Sequence, residues 1–395
     1  MKIGILTYHS VCNFGANLQA LSTVSYFKNN SIDVKVIDWC PKDLKQYYSR
    51  TVCEKQREYH KEFVKRYIPL TTHCENSEEV KKVIHKEHFD VIVIGSDAVF
   101  SFIPFLKRIH LSRKTGIGVL SVTSDHKIPN PFWGDFMEIK NKVKLVALSA
   151  SAQYLDYNKC TLWEKRKIKR LICNFEQINV RDRWTKMVLS KFTNKCIKIT
   201  PDPVFGFNVN VKEQIEEVTL RNKFGLSNKY ILLSFCSFIY PGEWYKNLFN
   251  LLKDEGFQII NLAMPEGCLD IPCDKIIDVP LSPLDWYALI KHSDGYIGQR
   301  MHPMIVALNN IVPFYVFDHY AFKKGNSHLE SSKIYDLLER ADLLSQYCNI
   351  KDSKRFNLVP QDVVSAILTY DKNKVASFVK EYQRLYFDMM SSINK

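Results

Sequence analysis

The sequence contains no Gly-x-Gly-x-x-Gly, no zinc-finger spacing and no recognition-helix signature. It therefore lacks the usual marks of a dinucleotide-binding turn and of a DNA-reading module. No apolar run is long enough to cross a bilayer, so any membrane contact is expected to be peripheral. MKIGILTY enters a strand at once, without the charged and apolar regions of a secretory leader, and none is expected. The 11 cysteines, at 12, 40, 53, 74, 160, 173, 196, 236, 268, 273 and 348, show no framework spacing, which suits a reducing cytoplasm. His85 and His88 stand at i and i+3, but no carboxylate or cysteine completes a ligand set. No metal is expected.

What is present is globular sequence. The 395 residues are 46% hydrophobic and 25% charged, and at roughly 100–200 residues per domain this length suggests two or three domains, of which two are expected. The net charge of +13 favours an anionic partner without choosing among a nucleotide, a phosphorylated metabolite, an acidic polymer and a phospholipid surface. Lys and Arg are spread along the chain rather than gathered in a binding motif, and nucleic acid is not expected as the partner.

Taken in order, KIGILTY, a turn-rich HSVCNFG, ANLQALSTVSYF with apolar residues at helical spacing, and VKVIDW make a β-α-β unit. Gly15 stands at its bend, with Asn13, Asn17 and Gln19 near the helix start. This turn either approaches a ligand or merely connects. Residues 42–88 show no strand pattern and read as one or two solvated helices followed by loops. FDVIVIGSDAVF is a buried parallel-type strand with Gly95, Ser96 and Asp97 at its carboxyl end, the end that faces the ligand crevice in open α/β sheets. Residues 101–142 are irregular and aromatic, and Thr161 to Asn174 reads as a basic amphipathic helix. QINVRDRW brings Arg181 and Arg183 to a strand end, where an arginine commonly pairs with a carboxylate, and an Asp202-Pro203 turn closes the half.

A charged stretch, roughly 208–228, precedes a second strand series beginning KYILLSFCSF. The expected domains are 1–207 and 225–370, followed by a closing helix at 371–395 that packs back on the first half. Two consecutive β/α halves with right-handed crossovers give an α/β fold of two doubly wound, Rossmann-like domains facing a central cleft. Within the second half, Ser282 to Tyr315 reads as helix, strand, tight turn, helix and strand, with Arg300 and His302 where the second helix begins. A helix start is a seat for phosphate or carboxylate, and a cation beside it strengthens the seat. The bland alternative is a surface arginine and a packed histidine.

Four segments, in order and spanning most of the chain, carry a resemblance. They are ILTYHSVCNFGANLQALSTVSYFKNNSIDVKVIDW, DVIVIGSDAVF, INVRDRWTKMVL and SPLDWYALIKHSDGYIGQRMHPMIVALNNIVPF. Together they resemble the polysaccharide pyruvyl transferases, which attach pyruvate from phosphoenolpyruvate as a ketal to cell-surface sugars. The sequence departs from the family at 98–100, Ala-Val-Phe for a commoner Gln-x-Trp, and at Pro303, where many members have a small residue. These departures bear on acceptor choice more than on donor chemistry.

The resemblance implies a two-domain fold like the B-type (GT-B) glycosyltransferases, with phosphoenolpyruvate as donor substrate and no separate cofactor. It places Arg181, Arg300 and His302 on donor-binding and catalytic positions. Paired guanidinium forks suit a carboxylate and a phosphate, and His302 is expected either to transfer protons or to hydrogen-bond the phosphate. Asp97 is expected as a base or acceptor contact, or only as a cap. Asn13, Gly15, Asn17 and Ser96 complete the expected substrate-binding set. The expected partner is a glycan acceptor, lipid-linked or nucleotide-linked, used in the cytoplasm; docking at the inner membrane face is compatible with the charge. The competing readings are a GT-B glycosyltransferase using a nucleotide sugar and a non-catalytic anion or nucleic-acid binding protein.

Overall fold

Strands such as VIVIG and YILLS are apolar on both faces, so each must be covered twice, and helices supply the cover. The computed structural model describes residues 1–112, 116–137, 143–226, 229–318, 322–323, 326–327, 331–351 and 357–393. In the first half, strands β1 (Lys2–Leu6), β2 (Asp33–Val36), β3 (Val91–Asp97), β4 (Lys144–Ala150), β5 (Gln177–Val180) and β6 (Ile197–Ile199) form a sheet in the order β2-β1-β3-β4-β5-β6. In the second, β7 (Tyr230–Ser234), β8 (Gln258–Leu262), β9 (Lys275–Ile277), β10 (Gly295–Gln299), β11 (Phe314–Asp318) and β12 (Tyr347–Asn349) take the order β9-β8-β7-β10-β11-β12. Every pairing in the two sheets is parallel.

The helices that position the site are α1 (Phe14–Asn29), α2 (Lys42–Thr51), α3 (Glu54–Tyr67), α4 (Ser77–Glu87), α5 (Leu162–Ile172), α6 (Arg183–Leu189), α7 (Pro283–Lys291), α8 (Met301–Asn309), α9 (Lys333–Arg340) and α10 (Lys372–Ile393). Residues 42–88 therefore hold three helices rather than one or two, and α3 is not merely solvated. Its Gln56 exchanges hydrogen bonds with the backbone of Leu281 in the second half, at 2.7 and 2.9 Å. The aromatic stretch after β3 is partly ordered by burial. Phe132 and Trp133 are enclosed in the core, packed on Tyr8, Trp39 and Phe100, while Ile109–Ser112 and Gly116–Val119 pair as a short antiparallel hairpin. The charged stretch between the sheets contains a helix, Glu217–Phe224, that buries Leu220.

Helix α10 packs on the first half. Tyr386 is fully buried, its hydroxyl accepts from Asn210 Nδ2 at 3.0 Å, and its ring meets Tyr26 edge-on. Gly206 makes room for it: a Cβ there would lie 2.1 Å from the Tyr386 ring. Gln177 Nε2 also donates to the Ser392 carbonyl at 3.2 Å. Tyr386→Ala is expected to cost about 3–5 kcal/mol, since the ring is fully enclosed and its removal leaves a cavity and takes one hydrogen bond from Asn210. Urea unfolding monitored by circular dichroism measures this; a loss below about 1 kcal/mol would mean that the closing helix does not hold the first half.

Candidate functional site

Each sheet reverses its strand order once, between β1 and β3 in the first half and between β7 and β10 in the second. Crevices open outside the carboxyl ends of strands at such points. Here they share one cleft of about 550 Å³, lined by Tyr8, Asn13, Gly15, Asp97 and Arg181 from one side and by Glu266, Arg300, His302 and Lys333 from the other.

Helix α1 begins at the end of β1, capped by Asn13, whose Oδ1 accepts from the Ala16 N–H at 3.2 Å. Its second residue, Gly15, lies against His302 on the second residue of α8. A Cβ at Gly15 would fall 2.0 Å from His302 Cγ and 2.2 Å from Nδ1, so glycine is required there for close approach. Arg300 turns the chain from β10 into α8 with φ of 81°, a backbone that side chains other than glycine seldom adopt. The Arg300 side chain is 40% exposed at the cleft wall, with Nε donating to Cys236 Sγ at 3.0 Å and Nη2 to Glu266 at 3.2 Å. Pro303, third in α8, has no N–H, so it adds no donor to the anion seat at that helix start.

Beneath His302 lies a buried ion cluster. Arg181 Nη2 donates to Asp97 at 2.6 Å and Nη1 to Asp202 at 2.9 Å. Asp202 Oδ2 also accepts from Gln19 of α1 at 2.5 Å. For Asp97, burial opposes the charge, but Arg181, His302 and Lys333 outweigh it and hold the carboxyl well below its usual range. Burial likewise opposes the Arg181 charge and is overcome by Asp97 and Asp202, so its pKa is raised. Burial lowers the His302 pKa, with Asp97 and Asp202 pulling the other way. Its Nε2 is buried and has no hydrogen-bond partner among the described residues. Lys333, first residue of α9, is brought down to about 8 by burial and by Arg181, against Asp97, Asp182 and Asp202; its Nζ donates to Gln153 at 3.3 Å.

The structure thus brings His302, Asp97, Arg181, Arg300, Asn13 and Gly15 to one cleft. Two residues expected there are elsewhere. Asn17 is fully buried, with Nδ2 donating to the His9 carbonyl at 2.8 Å and Oδ1 bonded to His60 Nδ1 at 2.6 Å, so its whole amide is spent inside the first half. Ser96 is 1% exposed and does not line the cleft, because alternate strand residues point to opposite faces. Arg181 lines the cleft, but both ends of its guanidinium already meet carboxylates, which makes it a holder of Asp97 rather than an open anion anchor. Arg183 pairs with Asp336 and Glu339 of α9. Val99 and Phe100 are core residues at 0% exposure, so the departure at 98–100 reaches the cleft only through Ala98.

Sequence reasoning missed Lys333, Gln153 and the tyrosines Tyr47, Tyr48 and Tyr154 that line the cleft. For Lys333 a signal existed: Ser332 precedes it and caps α9, its hydroxyl accepting from the Tyr335 N–H at 3.0 Å. His319 and Lys324 of the preceding loop lie outside the described residues. Among the described residues no group of three His, Cys, Asp or Glu is placed to hold a metal ion, and no helix is long and apolar enough to cross a membrane.

Residues 13–320 match the family model of the polysaccharide pyruvyl transferases. The chain belongs to that family. Membership makes it a transferase and implies a polysaccharide acceptor. No curated protein matches the sequence. Among solved structures it is similar to the UDP-GlcNAc 2-epimerase of Methanocaldococcus jannaschii, with 12% identity, 94% of this chain and 92% of that one covered and a TM-score of 0.52. It is also similar to the UDP-GlcNAc 2-epimerase of Neisseria meningitidis bound to UDP-GlcNAc, with 10% identity, 97% and 99% coverage and a TM-score of 0.51. At these identities the likeness concerns the fold alone, and the fold is GT-B.

Gly15→Ala tests the contact that joins the halves in this pyruvyl transferase family member. The new methyl must displace the root of the His302 ring, and overpacking of this kind costs about 1–3 kcal/mol. Lower urea stability together with shifted His302 ring resonances in NMR spectra is expected. Unchanged resonances would show that Gly15 and His302 are not in contact.

Proposed function

We propose that the protein transfers the pyruvyl group of phosphoenolpyruvate to a sugar of a cell-surface polysaccharide or its precursor, forming a cyclic ketal and releasing phosphate. The observation that carries this reading is His302. In a chain of this family it stands at a helix start in the interdomain cleft above Asp97, its Nε2 buried and unpartnered among the described residues.

The donor carries a carboxylate, a phosphate and an enol ether carbon that becomes electrophilic when its methylene is protonated. Lys333, Arg300 and the open N–H groups at the start of α8 are the groups suited to its two anions. His302 is held neutral by burial in the free site. A bound trianion reverses that balance, so the imidazole gains its proton with the donor and delivers it to the methylene carbon. One sugar hydroxyl then bonds to the cationic carbon and returns a proton to the imidazole. A second hydroxyl bonds to the same carbon as the C–O bond to phosphate breaks, and its proton leaves with the phosphate. Atoms and charge balance without an external oxidant or reductant. Arg181 keeps Asp97 ionised and fixed beneath the ring, and Tyr47, Tyr48 and Tyr154 offer aromatic faces to the sugar.

The test is phosphate release from phosphoenolpyruvate with candidate glycans, with mass analysis of the product. His302→Gln keeps a hydrogen-bond donor but cannot transfer protons, and should lower turnover by roughly 10²–10⁴. Near-normal turnover in that variant would exclude proton transfer by His302.

Lys333 supplies a pH dependence. Its folded pKa of about 8 lies below the ordinary 10.5, so between those values the unfolded chain binds the extra proton and stability rises with pH. Donor binding has the opposite sign, because an anion favours the ammonium form. Affinity for phosphoenolpyruvate should therefore fall more steeply above pH 8, by up to roughly a further tenfold per pH unit beyond the fall that proton uptake by His302 causes. Calorimetric titration from pH 7 to pH 9.5 measures this, and Lys333→Gln should remove the steepening near pH 8. A native profile with the same slope as the variant's would remove Lys333 from the donor site.

A further inference from the structure

We propose that the surface formed by the paired strands Ile109–Ser112 and Gly116–Val119, the short helix Phe105–Arg108 and the start of α5 docks on an anionic phospholipid bilayer, placing the acceptor lip of the cleft at the membrane. Leu162, Trp163, Leu120, Val119, Leu106 and Ile109 are 73%, 59%, 55%, 51%, 47% and 39% exposed. The three segments that carry them are joined. Ile109 sits directly opposite Val119 in the hairpin, so the two side chains share a face. The Leu120 N–H donates to the Arg108 carbonyl at 2.8 Å. The Phe105 N–H donates to Glu164 of α5 at 2.9 Å, and Phe105, Arg108 and Trp163 line one groove. This is one connected apolar surface, not single residues scattered at random.

Helix α5 shows that the exposure is built in. Thr161 and Glu164 form a reciprocal capping box that fixes the helix start, which leaves Leu162 and Trp163 as its first two residues, turned to water. The opposite face, with Ile168, Leu171 and Ile172, is already buried. The charge around the patch chooses the occupant. Residues 157–172 contain six Lys or Arg and one acid, Glu164, and that acid is buried in the capping box. Lys107 and Lys127 stand on the neighbouring segments and are each near a carboxylate, Asp156 at 3.8 Å and Asp43 at 4.0 Å, so the excess of positive charge comes from α5. An aromatic and aliphatic patch ringed by cations fits the interface of a bilayer bearing anionic head groups.

The patch is continuous with the cleft, since Leu120 and Tyr154 line the cleft mouth and Lys107 Nζ donates to the Tyr154 carbonyl at 3.0 Å. The docking follows from the surface alone. That it presents a lipid-linked sugar to the cleft rests on the pyruvyl-transfer reading.

Co-sedimentation of the full chain with vesicles separates the two. The chain should bind vesicles of phosphatidylcholine with about one third phosphatidylglycerol, not phosphatidylcholine alone, and added salt should weaken the binding. The double variant Leu162→Glu/Trp163→Glu should bind roughly tenfold less, while Leu368→Glu, a change at a residue 48% exposed elsewhere, should bind as the native chain does. Because residues 162 and 163 are exposed, the thermal midpoint of the variant should be unchanged. Its affinity for phosphoenolpyruvate in solution should also match the native value. Native binding to vesicles without any affinity for phosphoenolpyruvate would leave the docking standing and remove the pyruvyl-transfer reading. Equal vesicle binding by native chain and double variant would overturn the docking, as would light scattering that showed a native dimer abolished by the same substitutions, since the patch would then cover a second copy.

Discussion

The approach of α1 to α8, made possible where Gly15 lacks a side chain, is the constraint on which the two-domain arrangement turns. Both helices start at the carboxyl ends of strands beside a reversal of strand order, and the contact sets those ends face to face. Other interdomain bonds reinforce it. Phe14, the residue before Gly15, stacks on Trp286 of α7 with ring centroids 5.1 Å apart, and Gln56 pairs with the Leu281 backbone. The same helix reaches into the first half through Asn17, held by His9 and His60, and through Gln19, which donates to Asp202. A single helix therefore locks the interface and, through Asp202 and Arg181, orients Asp97 at the floor of the cleft.

The charges of that floor show which effect wins where. Two carboxylates against one guanidinium would make it a poor place for an anion, and burial alone would favour the neutral form of Asp97. The 2.6 Å bond from Arg181 and the nearby cations overcome that burial, because attraction at such distances in a poorly solvated site exceeds what water would leave of it. Lys333 offsets part of the remaining negative charge, to which buried Asp182 also contributes, and is itself held by burial near the point of losing its proton. An anion entering the cleft would shift Lys333 and His302 in the same direction, toward their charged forms.

Much of this was legible in the sequence where local pattern decides. The strand and helix alternation, the turn at Arg300 and the placement of His302 follow from apolar periodicity and turn chemistry within a few residues. What escaped depends on contacts distant in sequence. Asn17 reads as a polar group near a helix start, but its fate is set by His60, 43 residues on. Arg181 looks like an anion anchor until Asp97 and Asp202 are seen on either side of it. Phe132 and Trp133 lie in a stretch without period, and only the core around Tyr8 and Trp39 orders them. Lys333 carried a capped helix start as its sole sign, and its chemistry comes from carboxylates and an arginine contributed by the other half.

The cleft is asymmetric along its length, and the asymmetry sets the order in which substrates meet. Its floor is a compact set of charged groups drawn from strand ends and helix starts, which suits a small ionic ligand and leaves little room for a polymer. The more exposed part of the lining includes Tyr47, Leu120 and Tyr154, which are aromatic or apolar. On the pyruvyl-transfer reading proposed above, a glycan entering this cleft would cover the charged groups, so the small anion would arrive first and the sugar would close the site over it. The acceptor itself would then exclude water and protect the electrophilic carbon from hydrolysis until a sugar hydroxyl is in place.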